Sequence, residues 1–445
     1  MIAPARIAAY ETLLAVAQGR SDLPSALART RAVLDDERDR ALAGEIATGA
    51  IRWQGAADHI VTAFSGRGAS KLDPEIVAIL RISIFQLLHL DRVPASAVVD
   101  DAVDLARRAG KRSASGFVNA LLRRVSREKT RLPLPSTPPL DLLSITLSHP
   151  RWLAARWIAR HGAEAAERWA NFNNTPAPLI LRANRLVTTA DALARALSAE
   201  GVTVEPARLA ADALVVTGGN PLLTPLAGTG AFVIQDEASQ LVGMYASAQP
   251  GERILDACAS PGGKTTLMAA AMQDIGVLVA ADVRGKRLAL LRRTVAASGA
   301  RSIRLVQADA RASAPYRAQF DAVLLDAPCS GLGTIRRDPD VRWRRTEADL
   351  PGLAAAQREM LDELATRVRP GGRLIYSTCS GEPDENEDVV GAFLAAHAEF
   401  VRVTPAAFAA RSDLAALLDA DGTLRTLPFR DSLEAFYAVN LVRQR

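Results

Sequence analysis

Cysteine is scarce in this chain: 445 residues carry three, Cys258, Cys329 and Cys379. Three thiols cannot build a disulfide framework, and none has the C-x-x-C spacing of a zinc site. Histidine is nearly as rare, and His59, His89, His149, His161 and His397 are too dispersed to suggest a metal cluster, so no metal is expected. Long apolar runs are missing too. Glu11 breaks the N-terminal run, and Gln273 with Asp274 interrupts the stretch from Leu267 to Ala281, so neither a signal peptide nor a membrane span is expected. Reduced thiols then suit the cytoplasm, and a monomer away from membranes is the expected state.

What is present is an ample apolar fraction, 49% of residues, which excludes wholesale disorder and suits two or three domains. The net charge of +5 is weak for this length. Its distribution is not: Arg107, Arg108, Lys111, Arg112, Arg123, Arg124, Arg127, Lys129 and Arg131 face a single acid, Glu128, within one short segment. Charge gathered in this way suits a phosphate-binding face, although a solvated helix surface has the same pattern.

Helical periodicity runs from residue 5 to about 130, broken at Pro94. Four prolines between Leu132 and Pro139 then predict a stiff linker. Residues 141–245 mix a helical stretch from Pro150 to Arg168, a helix over Ala190–Glu200 and strand-like pieces at Leu179–Arg182 and Ala213–Val216, which predicts a small α+β unit. From Gly251, short apolar runs at 253–256, 277–282, 303–306, 322–326 and 373–377 alternate with helical segments, the signature of a parallel sheet covered on both faces. Ligands bind beyond the carboxyl ends of such strands. Asp256, Asp282, Asp309 and Asp326 fall there, as do all three cysteines.

Cys258-Ala259-Ser260-Pro261-Gly262-Gly263-Lys264-Thr265 ends like a phosphate loop, but Cys258 replaces the first glycine of that cradle. Asp282, ending the next strand, suits ribose hydroxyls without a phosphate. S-adenosyl-L-methionine fits this acidic surround better than a triphosphate, because its sulfonium is positive. Pro328-Cys329-Ser330 after one strand and Thr378-Cys379-Ser380 after the next suggest paired thiols acting on a pyrimidine. Carbon 5 of cytosine becomes nucleophilic once a thiolate has added to carbon 6, and a second group must then help the adduct collapse. Asp326 is placed to hydrogen-bond the base edge.

These motifs resemble those of the bacterial RNA (cytosine-5)-methyltransferases that act on 16S ribosomal RNA. The likeness spans nearly the whole chain. Residues 72–91 and 116–124 are similar to the helical RNA-binding domain shared with antitermination factor NusB. Ser148-His-Pro-Arg-Trp152, Asn173-Asn174 and Gln235–Gln240 match intervening family segments, and Asp326–Asp340 with Pro383-Asp-Glu-Asn386 are the most specific. The resemblance implies a multidomain chain: an all-α NusB-like domain over 1–131, a linker over 132–140, a small α+β subdomain over 141–245, and an α/β Rossmann-like class I S-adenosylmethionine-dependent methyltransferase domain over 246–445. It implies Cys379 as nucleophile and Cys329 as the residue assisting release, the reverse of the Pro-Cys assignment in DNA cytosine methyltransferases. Residues 258–264 would wrap the methionine part of the cofactor, Asp282 would hold the ribose, Asp309 would lie by the adenine, and Asp326 would sit between cofactor and cytosine. Cys258 becomes a loop residue whose backbone touches cofactor.

The implied partner is RNA, either 16S rRNA or a small-subunit assembly intermediate. Candidate contacts are Arg107, Arg108, Arg123, Arg124 and Arg127, with Arg336, Arg337 and Trp343, where arginines flank an indole that can stack a base or simply pack. One departure is visible: Asp431-Ser-Leu-Glu-Ala-Phe-Tyr437 lacks the glycine that usually follows this aspartate in the family. A different class, a non-enzymatic RNA-binding factor with a dead catalytic domain, is disfavoured by the intact cysteines and loop.

Overall fold

The computed structural model describes residues 2–312, 315–316, 318–408 and 412–445, which cluster into two compact units. The first comprises Met1–Pro176 and a returning segment, Ile335–Glu347. It is helical: α1 (Pro4–Ala17), α2 (Leu23–Ala32), α3 (Glu37–Arg52), α4 (Gln54–Ser65), α5 (Pro74–His89), α6 (Ala95–Arg108), α7 (Ser115–Arg127), α8 (Arg151–His161) and α9 (Ala163–Asn174). Starts are set by local chemistry. Asp22 accepts from the Ser25 amide and Asp36 from the Arg38 amide, while Pro4 and Pro74 open helices whose first N–H has no partner to lose. The apolar stripes meet in one core containing Ile46, Ile60, Ile79, Leu80 and Val118. A second knot stacks Trp157 on Trp169 at 4.8 Å, with His149 edge-on at 5.3 Å.

Residues 335–347 thread into this helical unit. Arg342 is fully buried and donates to the Ser148 carbonyl (2.9 Å) and Asn174 Oδ1 (3.1 Å). Asp340, 1% exposed, accepts from the Leu23 amide and Arg344. Burial, then the hydrogen bond and charge of Asp340, raise the Asp338 carboxyl to about 8, because two carboxyls in contact retain a proton between them.

The second unit, Ala177–Thr334 with Ala348–Arg445, holds two sheets. Strands β1 (Ile180–Ala183), β2 (Thr203–Pro206), β3 (Ala213–Gly218) and β4 (Phe232–Ile234) form an antiparallel sheet ordered β2-β3-β1-β4. Helix α10 (Ala190–Ala199), capped by Thr189, covers it through Leu193 and Leu197. After α11 (Glu237–Tyr245) come β5 (Arg253–Asp256), α12 (Gly263–Ala271), β6 (Val277–Asp282), α13 (Gly285–Ser298), β7 (Ile303–Gln307), β8 (Phe320–Asp326), α14 (Leu350–Ala365), β9 (Val368–Thr378), α15 (Glu387–Ala396), β10 (Phe400–Arg402), β11 (Leu424–Thr426) and β12 (Phe436–Arg443). The large sheet is ordered β10-β12-β9-β8-β5-β6-β7, parallel from β9 to β7, with β12 inserted antiparallel between β9 and β10. From β5 the chain winds one way to β6 and β7, then the other way to β8 and β9. That reversal opens the crevice where ligands bind in such sheets.

The missing glycine after Asp431 is answered locally. Asp431 accepts from the Leu427 amide, and Ser432 itself adopts the left-handed conformation, with φ at +57°. Ser432 is exposed, so its side chain is not what holds the turn. Ser432→Gly is therefore expected to raise stability by about 0.5–1 kcal/mol, read as a shifted denaturant midpoint with unchanged slope.

Candidate active site

The loop after β5 is shaped by contacts on both sides. Gly262 has φ +107°, and a Cβ there would lie 2.8 Å from a Leu291 methyl, so only glycine fits this turn. Behind the loop stands Arg182, 3% exposed, which donates to the Gly263 carbonyl, to Gln235 Oε1 (2.6 Å) and to Thr266 Oγ1 (2.7 Å). Burial lowers its pKa to about 10. The small antiparallel sheet thus braces the start of α12 through one arginine.

In front of the loop lies a cavity of about 190 Å³ lined by Gln235, Ser239, Asp256, Cys258, Lys264 and Asp326 among others. Ala259, Ser260, Pro261 and Gly263 complete its loop wall. Asp256 is 1% exposed. One oxygen accepts from Thr265 Oγ1 at 2.7 Å, and Oδ1 has no hydrogen-bond partner among the described residues. Burial, reinforced by the charge of Asp326, lifts its pKa to about 7. Burial likewise pushes the Cys258 thiol up, which fits a loop residue rather than a reactive one. Asp282 and Asp309 follow the next two strands and do not line this cavity. Asp282 is buried and accepts from the Arg284 amide, while Arg311 binds Asp309 and holds its carboxyl below the usual range. Gln235 and Ser239 come from the segment Gln235–Gln240, and Thr294 is a lining residue that no sequence motif singled out. A larger cavity of about 530 Å³ lies in the helical unit, beside Gln54, Arg81 and Trp343, and holds none of the loop residues.

Asp326 ends β8 and is shared: Lys264 Nζ donates to Oδ2 at 2.7 Å and Ser377 Oγ to Oδ1 at 2.8 Å. The ends of β8 and β9 and the first turn of α12 therefore converge on one carboxylate. Burial opposes the Lys264 ammonium, but Asp326, Cys379 and Asp256 outweigh it and raise its pKa. Beyond Asp326, the Cys329 and Cys379 sulfurs lie 3.3 Å apart. The hydrogen bond to Cys379, burial, and the charges of Cys379 and Glu385 hold Cys329 well above the usual thiol range. The Cys379 backbone is pinned: Gly333 N–H donates to its carbonyl at 2.9 Å, and Asn386 bridges Thr378 Oγ1 and the Ser380 carbonyl.

The basic segment is more neutralised than its charge count suggests. Arg107 pairs with Asp104, Lys111 with Asp73, Arg124 and Arg127 with Glu128, and Lys129 with Asp91. Arg123 donates to Asn119, and Arg108 is exposed. Trp343 takes the packing alternative: its Nε1 donates to the Ile51 carbonyl at 2.9 Å, and it packs against the helical core. Arg336 stacks on Phe172 and donates to the Pro176 carbonyl, and Arg337 is half-buried beside it in sequence. A different cationic surface was missed. On α13 and the turn before it, Arg284, Lys286, Arg287, Arg292 and Arg293 are exposed, and no acid occurs between Val283 and Gln307.

Residues 244–442 match the family described as 16S rRNA methyltransferase RsmB/F, residues 3–127 the NusB family, and residues 149–222 the ferredoxin-like domain of RsmF/B-like methyltransferases. Ribosomal RNA small subunit methyltransferase B of Pseudomonas putida is 36% identical over 396 residues, 88% of each chain. The crystal structure of PH0851 is similar with a TM-score of 0.82 at 26% identity, covering 100% of this chain and 99% of that one. NSun6 from Pyrococcus horikoshii, solved with SFG, shares the fold at 19% identity and a TM-score of 0.59, covering 66% of this chain and 98% of its own. With more than a third of residues identical across nearly nine-tenths of a full-length relative, this chain belongs to the 16S rRNA methyltransferase RsmB/F family.

Proposed function

We propose that the protein transfers a methyl group from S-adenosyl-L-methionine to carbon 5 of a cytosine in 16S rRNA, through a covalent bond between Cys379 and carbon 6. The carrying observation is the pair of sulfurs 3.3 Å apart, beside the Lys264–Asp326 pair. Bound in the crevice, the cofactor supplies an electrophilic methyl. The residues present fit it: a glycine turn with no room for a side chain, an unpartnered buried oxygen on Asp256, and an acidic surround for a cationic ligand. Asp282 is the ribose partner, Asp309 the group nearest the adenine, and residues 258–264 the cradle of the methionine part.

Cys379 adds to carbon 6 as a thiolate, with the Lys264 ammonium offsetting its charge. Asp326 accepts from the exocyclic amine and orients the ring. Carbon 5 then takes the methyl, Cys329 gives its own proton to water and accepts the proton left on carbon 5, and the bond to Cys379 breaks, restoring the ring, a protonated Cys329 and a Cys379 thiolate. RNA phosphates are held by the exposed arginines of α6 and α7, Arg107, Arg108, Arg123, Arg124 and Arg127, and by the exposed cations of α13. Arg336 and Trp343 hold residues 335–347 in the helical unit, and Arg337 is a further phosphate contact. An assembling small subunit in the cytoplasm offers such a substrate.

The thiol roles separate in one experiment. Cys329→Ala is expected to accumulate a protein–RNA adduct that survives denaturing electrophoresis, whereas Cys379→Ala forms none. An adduct with Cys379→Ala instead would exchange the roles, and full turnover by both variants would sink covalent catalysis.

Two further outcomes follow from the charges. The ionised form of Asp256 attracts the ligand's ammonium, so affinity for S-adenosylhomocysteine rises as pH climbs through about 7. Calorimetry across pH 6–8 is expected to lose that slope in Asp256→Asn. Replacing Lys286, Arg287 and Arg293 by Ala is expected to flatten the salt dependence of RNA binding by about one unit of slope per lost phosphate contact, leaving S-adenosylhomocysteine affinity unchanged. An unaltered slope would return α13 to a solvated surface.

A further inference from the structure

Glu385 is fully buried, yet among the described residues no lysine or arginine is bonded to it. Its carboxylate is held instead by neutral donors from three places. Oε1 accepts from the Ser330 amide at 2.7 Å and from Gln357 Nε2 at 3.1 Å. Oε2 accepts from Ser330 Oγ at 2.6 Å and Ser380 Oγ at 2.7 Å. The two serines themselves lie 3.2 Å apart. Ser330 directly follows Cys329, and Ser380 directly follows Cys379. One carboxylate therefore clips together the loops that carry the two thiols.

The clip is itself held from behind. Gln357 on α14 also donates to the Pro328 carbonyl, the residue before Cys329, and accepts from Tyr376 OH at 3.1 Å. Tyr376 OH also contacts the Glu385 carbonyl. A buried carboxylate is costly unless its lone pairs are satisfied. Ordinary packing at this position would be served by a glutamine of the same shape, since serine hydroxyls can accept as readily as donate. Retaining a charge there calls for an electrostatic purpose.

That purpose is legible in the surroundings of the thiols. The charge of Lys264, paired with Asp326, bears on Cys379, and that of Glu385 is among the causes that raise Cys329, although its carboxylate bonds the serines that follow both thiols. Two thiols in contact cannot both ionise readily. A cation beside one and an anion beside the other decide which keeps the proton.

We propose that Glu385 is a positioning residue for methyl transfer: it fixes the spacing of the two cysteine loops, and its negative charge keeps the shared proton on Cys329, leaving Cys379 free to attack. This rests on the covalent reading given above, but its electrostatic half can be tested without RNA or turnover.

The test compares three full-length variants by competitive alkylation with iodoacetamide at neutral pH, reading Cys379 against Cys329 by peptide mass spectrometry. The unsubstituted chain is expected to alkylate preferentially at Cys379. Glu385→Gln keeps the shape and removes the charge, so that preference is expected to fall by about tenfold, as for one pKa unit of differential stabilisation. Glu385→Asp keeps the charge but is a methylene too short to reach both serines. It should retain the preference while losing kcat, with KM for RNA and affinity for S-adenosylhomocysteine unchanged. Ser330→Ala, which removes one tie and leaves Glu385 in place, should lower kcat in the same way. An alkylation preference in Glu385→Gln equal to that of the unsubstituted chain would overturn the electrostatic role. Unchanged kcat in both Glu385→Asp and Ser330→Ala would overturn the spacing role. Failure of the covalent reading would look different: Cys379→Ala would turn over normally, whatever the alkylation pattern.

Discussion

Lys264 and Asp326 meet at 2.7 Å although 62 residues separate them, because β5 and β8 are neighbours in the sheet and deliver their loops to the same edge. An ammonium with only a tenth of its side chain exposed is tolerable only beside a countercharge. Asp326 supplies it, and its second oxygen takes the Ser377 hydroxyl at the end of β9. The loop after β5, the turn carrying Cys329 and the turn carrying Cys379 are thereby referred to one carboxylate. Removing that carboxylate would leave a buried cation and loosen all three segments together, so the pair constrains geometry as well as charge.

Much of this was legible in the sequence because buried parallel strands are short, unbroken apolar runs ending abruptly in polar residues. Arg253–Asp256, Val277–Asp282 and the run ending at Asp326 could be read for that reason, and their acids fall at strand ends as expected. The order of strands could not. That β12 enters antiparallel between β9 and β10 depends on pairing across long separations, and its apolar pattern suits either direction. Strands β2 and β4 were also invisible, the first mostly exposed and the second three residues long. Nor does the sequence say that residues 335–347 return to the helical unit. Their arginines suggest a surface, whereas Arg342 is buried against the Ser148 and Asn173 carbonyls.

Charge was the least transferable signal. The segment from Arg107 to Arg131 stands out when residues are counted along the chain, but helix geometry brings Asp104 under Arg107, and tertiary packing brings Asp73 and Glu75 to Lys111. The cations of α13 make a smaller block in the sequence, yet no acid lies among them, and each of the five is exposed. Arg182 and Glu385 show the converse. Arg182 sits in an apolar run and Glu385 in the acidic segment Glu382–Asp388, and only the fold reveals that one braces the loop after β5 while the other joins two cysteine turns.

The arrangement of the thiols also answers a difficulty in the proposed chemistry. Cys329 has to hold its proton while Cys379 attacks, yet later accept one from carbon 5. The foremost causes that keep Cys329 protonated are its hydrogen bond to Cys379, its burial and the negative charge of Cys379. Under the proposed mechanism, the first and third vanish once Cys379 becomes a neutral thioether. Lys264 then loses the thiolate it was offsetting, and its positive charge is free to favour an anion on the remaining sulfur. In the proposed mechanism Cys329 releases its proton to water and becomes a base once the covalent bond has formed. In that mechanism the 3.3 Å contact would couple the two steps in order: the nucleophile, by reacting, would remove the interactions that had silenced its partner.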